Sequence, residues 1–357
     1  MTHDAAPATS TAGRRRPPAA ILWVGLIAGL SAILIGLLAL FILPSLSGGP
    51  RDLAVGVVAS EEELTAIETQ LETGWPEGFD VEAFSTSAAL DAAVESRQVA
   101  GGFDLSDGTV RTVVASAGST AISGTFTTIG QAIAGGFGTT AVVDDIVPLP
   151  AGDPTGIGIG GLAFPLVFGG IVPAAAFRAL FAGRRPWILA GLIGFSAVSG
   201  LIVAWMLRFA FGSIEHSFWP VAGAVALGIA ALAIPLGALN EAFGAKGFTI
   251  VAALMMFVGN PFAGIGTTAA WLPAGVATIG QLLPPGADGT LVRAVAYFGG
   301  AGGGAAFATL AVWVVAGLAL WCAAPAIQRR REARAAVKAA NAGRAAEPTT
   351  AELPQVS

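Results

Sequence analysis

The chain has 357 residues, of which 54% are hydrophobic and only 11% charged, and its formal net charge is −5. Soluble domains carry about 25% charged residues, so most of this chain cannot present a water-compatible surface, and lipid is its expected solvent. The single cysteine, Cys322, excludes an intramolecular disulfide and a cysteine metal cluster.

In chain order, residues 1–18 are polar, end in Arg14 to Arg16 and two prolines, and carry no apolar periodicity; a disordered tail is expected there. Ile21 to Leu43 is one apolar run, longer than the 7–15 residues of a signal-peptide core, so residues 19–44 are read as a first transmembrane helix. Gly25, Gly29, Ala32, Gly36 and Ala39 fall on one face of it, where small side chains permit close helix packing.

Residues 45–155 differ in kind and hold most of the acids. Leu53 to Val58 reads as a buried strand and Glu61 to Thr73 as a helix with Leu64, Ile67 and Leu71 on one face. Val81 to Phe84 is a second strand, followed by a helix over Ser87 to Arg97 capped by Ser87. Val99 to Leu105 and Val110 to Ala115 are strands joined across Ser106-Asp107-Gly108, a hairpin signal. A helix over Ser119 to Ile133 and a strand over Thr140 to Val147 follow. Strands alternating with helices predict a small α/β domain.

Further apolar runs cover Ile157 to Phe177, Trp187 to Leu207, Pro220 to Leu239, Phe248 to Gly264 and Ala305 to Ile327. Residues 265–300 are rich in Gly and Pro and read as a re-entrant or external segment. Asn260, Pro261, Pro273, Pro284 and Pro285 are candidate breaks in membrane helix, since proline cannot donate to the helical ladder. Residues 156–327 thus form a five-helix bundle, and residues 328–357 a basic tail. The fold class expected is a polytopic α-helical membrane protein of about six transmembrane helices, with an extracytoplasmic α/β domain between the first and second.

Orientation follows from the arginines and lysines near span ends. With both termini in the cytoplasm, thirteen of the eighteen basic residues lie inside, and residues 45–155 lie outside the plasma membrane. The chemistry of enzymes is hard to place. No phosphate-gripping G-x-x-x-x-G-K-[ST], H-E-x-x-H or G-x-S-x-G motif occurs. Glu215, His216 and Ser217 are consecutive and cannot converge on one reacting atom as a triad does; they read as a solvated turn. No catalytic, cofactor-binding or metal-ligating residue and no cofactor is assigned, and no nucleic-acid partner is expected. The loop Arg178 to Pro186 is short and basic. It reads first as a positive-inside anchor, and second as a docking element in which Leu180 and Phe181 supply an apolar knob and Arg178, Arg184 and Arg185 charge.

The order of parts resembles type-2 ATP-binding-cassette permeases. Gly259-Asn260-Pro261, Trp271-Leu272-Pro273 and Gln281 to Gly286, ahead of Arg293 and Tyr297 to Gly300, look like the break after that family's fifth span. There, short helices re-enter the membrane from outside. Asp153-Pro154-Thr155-Gly156 leading into Gly161 to Gly170 resembles the branch that includes the phage infection protein. The resemblance implies the membrane subunit of an exporter, paired or homodimeric, driven by a separate cytoplasmic ATP-binding subunit docking near Arg178 to Pro186. Few ionisable residues lie inside the spans; ion-coupled transporters usually keep buried carboxylates, so the scarcity favours ATP-driven export or a non-transport role. The alternative is a non-transporting membrane protein whose external domain binds an envelope component, a partner protein or a phage.

Overall fold

The structure is a computed structural model and describes residues 19–46 and 48–346. The tail expected over 1–18, with Arg14 to Arg16, and the stretch from 347 onward lie outside the described residues. Among the described residues, five helices are long and apolar enough to cross a membrane: Trp23–Leu43, Ile157–Leu180, Arg185–Ala210, Phe218–Phe243 and Gly304–Asn341. A sixth, Ala245–Gly259, is shorter. The protein is helical and membrane-compatible, with one small sheet.

Of the described residues, 19–43 belong to one unit and those from Pro44 onward to a second. Helix α1 (Ala19–Leu46) is continuous over 28 residues. The second unit holds the α/β domain and the helical bundle.

The domain is a five-stranded sheet in the order β2-β1-β3-β4-β5. Its strands are β1 (Leu53–Val58), β2 (Phe79–Ala83), β3 (Gly102–Asp104), β4 (Val110–Val114) and β5 (Ala141–Asp145). Only the β3–β4 hairpin is antiparallel. Alternation along each strand sorts side chains onto two faces. Val55, Val57, Phe103, Val110 and Val114 face α2 (Glu61–Gly74) and α4 (Thr120–Phe137), packing on Ile67, Leu71, Phe126, Ile129 and Ile133. Val58, Val113 and Ala115 face the other way, onto Leu90, Ala93 and Val94 of α3 (Ser87–Glu95).

Caps set the helix starts. Ser60 and Glu63 form a reciprocal capping box on α2. For α3 the expected cap is corrected: Thr86, not Ser87, accepts the Ala89 N–H, and Ser87 is already the first helical residue. Thr86 has the extended backbone an N-cap requires.

The run expected as one span from Ile157 is two pieces, α5 (Ile157–Gly160) and α6 (Ala163–Leu180). Asp153 accepts the N–H groups of Ile157 (2.9 Å) and Gly158 (2.7 Å), which fixes where α5 begins. Next come α7 (Arg185–Trp205), α8 (Phe218–Phe243), α9 (Ala245–Leu254), α10 (Ala274–Leu282), α11 (Pro284–Tyr297) and α12 (Gly304–Ala346). A π-turn extends α7 over Met206–Ala210, and another extends α9 over Met255–Gly259. As far as Ala346, the basic tail expected from Gln328 is the uninterrupted continuation of α12.

Helix α8 is the hub. Its 26 residues span about 39 Å, enough for a bilayer core of ~30 Å. Small residues let neighbours close on it. A Cβ on Gly170 of α6 would sit 2.3 Å from Leu232, and one on Gly200 of α7 would sit 2.3 Å from the Ala222 carbonyl. Both approaches exist only because those positions lack side chains.

Candidate functional site

Three places carry the residues that the sequence singles out or the fold assembles. The first is the end of the bundle where α6, α7, α8 and α12 meet. Glu241 of α8 is buried and ion-paired with Arg178 and with Arg185 (3.4 Å). Arg185 also donates to the Trp321 carbonyl and lies over the Trp321 ring, 5.2 Å from its centroid. Gln328 donates to the Glu241 carbonyl and Arg331 to that of Ala242 (3.0 Å).

Much of the Arg178 to Pro186 loop therefore works inside the chain. Phe181, expected as an outward knob, turns in: it stacks on Phe177 at 6.1 Å and packs on the core of Ala174, Ile188 and Leu192. An aromatic ring gains more from that apolar core than from water. The outward residues are Leu180, 77% exposed, and Arg184.

The second place is the broken segment. Asn260 ends the π-turn of α9 and is buried; its N–H reaches the Met255 carbonyl at 3.0 Å. Pro261 follows at the break. Pro273 stands at the N-cap of α10, and Pro284 and Pro285 open α11. These are positions where a missing N–H costs nothing, because the first N–H groups of a helix lack partners anyway. All five predicted break residues thus sit at helix ends. The chain reverses between α10 and α11. Trp313 Nε1 donates to the Leu282 carbonyl (2.9 Å) and Thr290 Oγ1 to Gln281 (2.8 Å), which pins the hairpin.

This hairpin holds a buried acid. Asp288 of α11 is 1% exposed and points at Gly228 of α8, where a Cβ would lie 1.9 Å from a carboxyl oxygen. Neither carboxyl oxygen has a hydrogen-bond partner. The sequence scan missed Asp288 because α11 lies in a Gly/Pro-rich stretch that did not read as membrane helix. The spacing of Asp288 from the apolar Leu291 and Val292 was the available signal.

The third place joins the α/β domain to the bundle. Phe298, just past α11, completes the α3 face of the domain core, and Trp271 packs on the opposite face. The Gly49 N–H reaches the Trp271 carbonyl at 3.0 Å. Arg97 lies over the Phe298 ring, 5.0 Å from its centroid. Between domain and hairpin lies a cavity of about 270 Å3, lined by Arg97, Ser119, Thr268 and Phe298 among others. Sequence patterning did not single out Arg97 or Arg293.

The turn Glu215 to Ser217 is no triad. His216 is largely exposed, 3.9 Å from Glu215, while Ser217 Oγ donates to the Ala296 carbonyl at 2.9 Å. Among the described residues, no group of three or more His, Cys, Asp or Glu side chains is placed to hold a metal ion. Compared with models of protein families, with curated proteins and with solved structures, the chain matches none.

Proposed function

We propose that the chain is the membrane-spanning subunit of an ATP-driven exporter for an amphipathic or lipid-like substrate. In this reading it is paired with a second permease chain and powered by a separate cytoplasmic ATP-binding subunit, as the likeness to type-2 ATP-binding-cassette permeases implies. The observation that carries the reading is the polarity of the bundle. At one end of α8, Ser217 and the Ala296 carbonyl join the helix start to the hairpin that underlies the α/β domain. At the other end, Glu241 gathers α6, α7 and α12 beneath a short basic loop. Force applied to that loop reaches three helices through one ion-pair cluster and, along α8, the packing around Gly228 and α11. With the basic end in the cytoplasm, the α/β domain lies outside the plasma membrane.

ATP coupling rests on this geometry. The outward docking residues are Leu180 and Arg184, with Arg178 and Arg185 acting through Glu241. The test is affinity purification of the full chain in mild detergent, followed by ATPase assay of what accompanies it. An ATPase that co-purifies with wild type and is lost with Leu180→Asp plus Arg184→Glu supports the assignment. Purification of the chain without ATPase activity, across several detergents, rejects it.

The rival reading, a non-transporting receptor, draws on the domain's own two-sided core. One of those sides is closed by Phe298 and Ala301, so the domain is built onto the hairpin rather than hung from it. Binding of a cell-wall component by the full chain, with no solute moved in vesicles, would favour the rival.

A further inference from the structure

Two arginines at the junction of domain and hairpin are not paired with any acid among the described residues. Arg293 is 7% exposed and spends one donor on the Ile265 carbonyl (2.6 Å). A guanidinium has five N–H donors, so most of its capacity remains, and the side chain lines a small crevice with Ser119, Thr120, Thr267 and Tyr297. Arg97 lines the larger cavity of about 270 Å3, and its Nη1 is buried without a hydrogen-bond partner. Gly118 and Ser119 border both spaces.

Two further features converge here. Ser119 caps α4 by accepting the Ile122 N–H, leaving the N–H groups of Thr120 and Ala121 at the positive end of an 18-residue helix. Arg97 itself has φ +60°, the left-handed region, directly after α3. Glycine is the residue that fits such a position without strain. Neither Asp153, which accepts the N–H groups of α5, nor Asp52, exposed at the cavity rim, forms an ion pair with either arginine.

We infer that Arg97, Arg293 and the N-terminus of α4 form a binding site for a phosphate-type anion at the junction of the α/β domain and the hairpin. Planar guanidiniums match phosphate oxygens two at a time, and helix N–H groups supply further donors. The cavity beside Arg97 measures about 270 Å3 and can take the bulk of a phosphate ester, while the crevice beside Arg293 is only about 20 Å3. A phospholipid headgroup and a soluble phosphate ester share this chemistry. The site stands whether or not the chain transports a solute.

The test uses the full chain in neutral detergent, its thermal unfolding followed against inorganic phosphate at constant ionic strength. A second arm compares nanodiscs of phosphatidylcholine alone with nanodiscs containing phosphatidylglycerol. Wild type should gain thermal stability saturably with phosphate. Arg97→Gln and Arg293→Gln should weaken the apparent affinity by about tenfold or more, Arg97→Lys by less, and the exposed Arg51→Gln not at all. Should Arg293→Gln not fold, Arg97→Gln and Arg97→Lys still decide. A gain from phosphatidylglycerol that Arg97→Gln abolishes assigns the site to a lipid headgroup; a gain from phosphate alone assigns it to a soluble ester. Without phosphate, Arg97→Gln should be as stable as wild type or more so, because an unpaired charge has been removed. Equal responses of wild type and Arg97→Gln, or no response to either probe, would overturn the site. So would a loss of stability in Arg97→Gln that phosphate does not affect, which would leave Arg97 as a clamp on Phe298.

Discussion

Asp288 and Asp104 show how the same side chain behaves in two surroundings. Asp104 is 4% exposed but well served. Ser106 gives it backbone and hydroxyl hydrogen bonds at 3.0 and 2.7 Å, and Arg111 lies at 3.9 Å. Burial opposes its ionisation, yet hydrogen bonds from Ser87 and Ser106 and the Arg111 charge outweigh burial and hold its carboxyl below the ordinary 3.8. A depressed carboxyl contributes stability that is complete above the unfolded value and is lost as pH falls through the folded one. Thermal stability should therefore fall below about pH 4, and Asp104→Asn should flatten that loss; an unchanged pH profile would show that Asp104 is not the group responsible. Asp288, by contrast, has no partner for either oxygen, and an unpartnered buried polar group costs about 1–3 kcal/mol. Asp288→Ala should raise the unfolding temperature in detergent. Gly228→Ala should lower stability by roughly 1–3 kcal/mol through overpacking, and combining it with Asp288→Ala should recover most of that loss, because the clashing carboxyl is gone. Additive effects in this double-mutant cycle would show that the two residues do not touch.

At the scale of elements, the bundle end near Glu241 behaves as one joint. Removing one partner from a buried ion pair leaves a charge uncompensated and costs about 3–5 kcal/mol. Arg178 and Arg185 keep 32% and 27% side-chain exposure, so water relieves part of this, and Glu241→Ala should cost about 2 kcal/mol. Proteolysis should then cut faster around Arg178 to Pro186 and after Trp321, where the arginines and α12 lose their tie. Phe181→Ala belongs to the same joint. The ring faces Phe177 and the core, so its loss should lower bundle stability by ~2 kcal/mol, discounted from the 3–5 of a fully buried ring, whether or not a partner is bound. Stability unchanged in the isolated chain, with partner binding lost, would return Phe181 to the outside knob.

Across the whole molecule, the α/β domain and the hairpin share side chains rather than a linker. Phe298 is 9% exposed in the α3-side core and carries the Arg97 stack. Phe298→Ala should cost about 3 kcal/mol and should loosen two regions together, the α3 face of the domain and residues 298–303. Hydrogen exchange would report both. Faster exchange in only one of them would mean that domain and hairpin are energetically independent.

Local pattern by itself determined the elements whose signals are short-range. The period of two in Leu53 to Val58, the turn at Ser106-Asp107-Gly108 and the apolar lengths of α1, α7, α8 and α12 each depend on neighbours along the chain. So do the break positions at Asn260, Pro261, Pro273, Pro284 and Pro285, since proline acts on its own backbone. Tertiary structure alone decided what those elements do to one another. Glu241 and its arginines are 63 and 56 positions apart, Phe181 turns inward because a core lies there, and Asp288 meets Gly228 only because the hairpin folds back against α8. Arg97 and Arg293 come from different halves of the chain and line neighbouring spaces that share Gly118 and Ser119 as a border. Burial and charge pairing are properties of approach in space, and no periodicity along the chain encodes which distant residues approach.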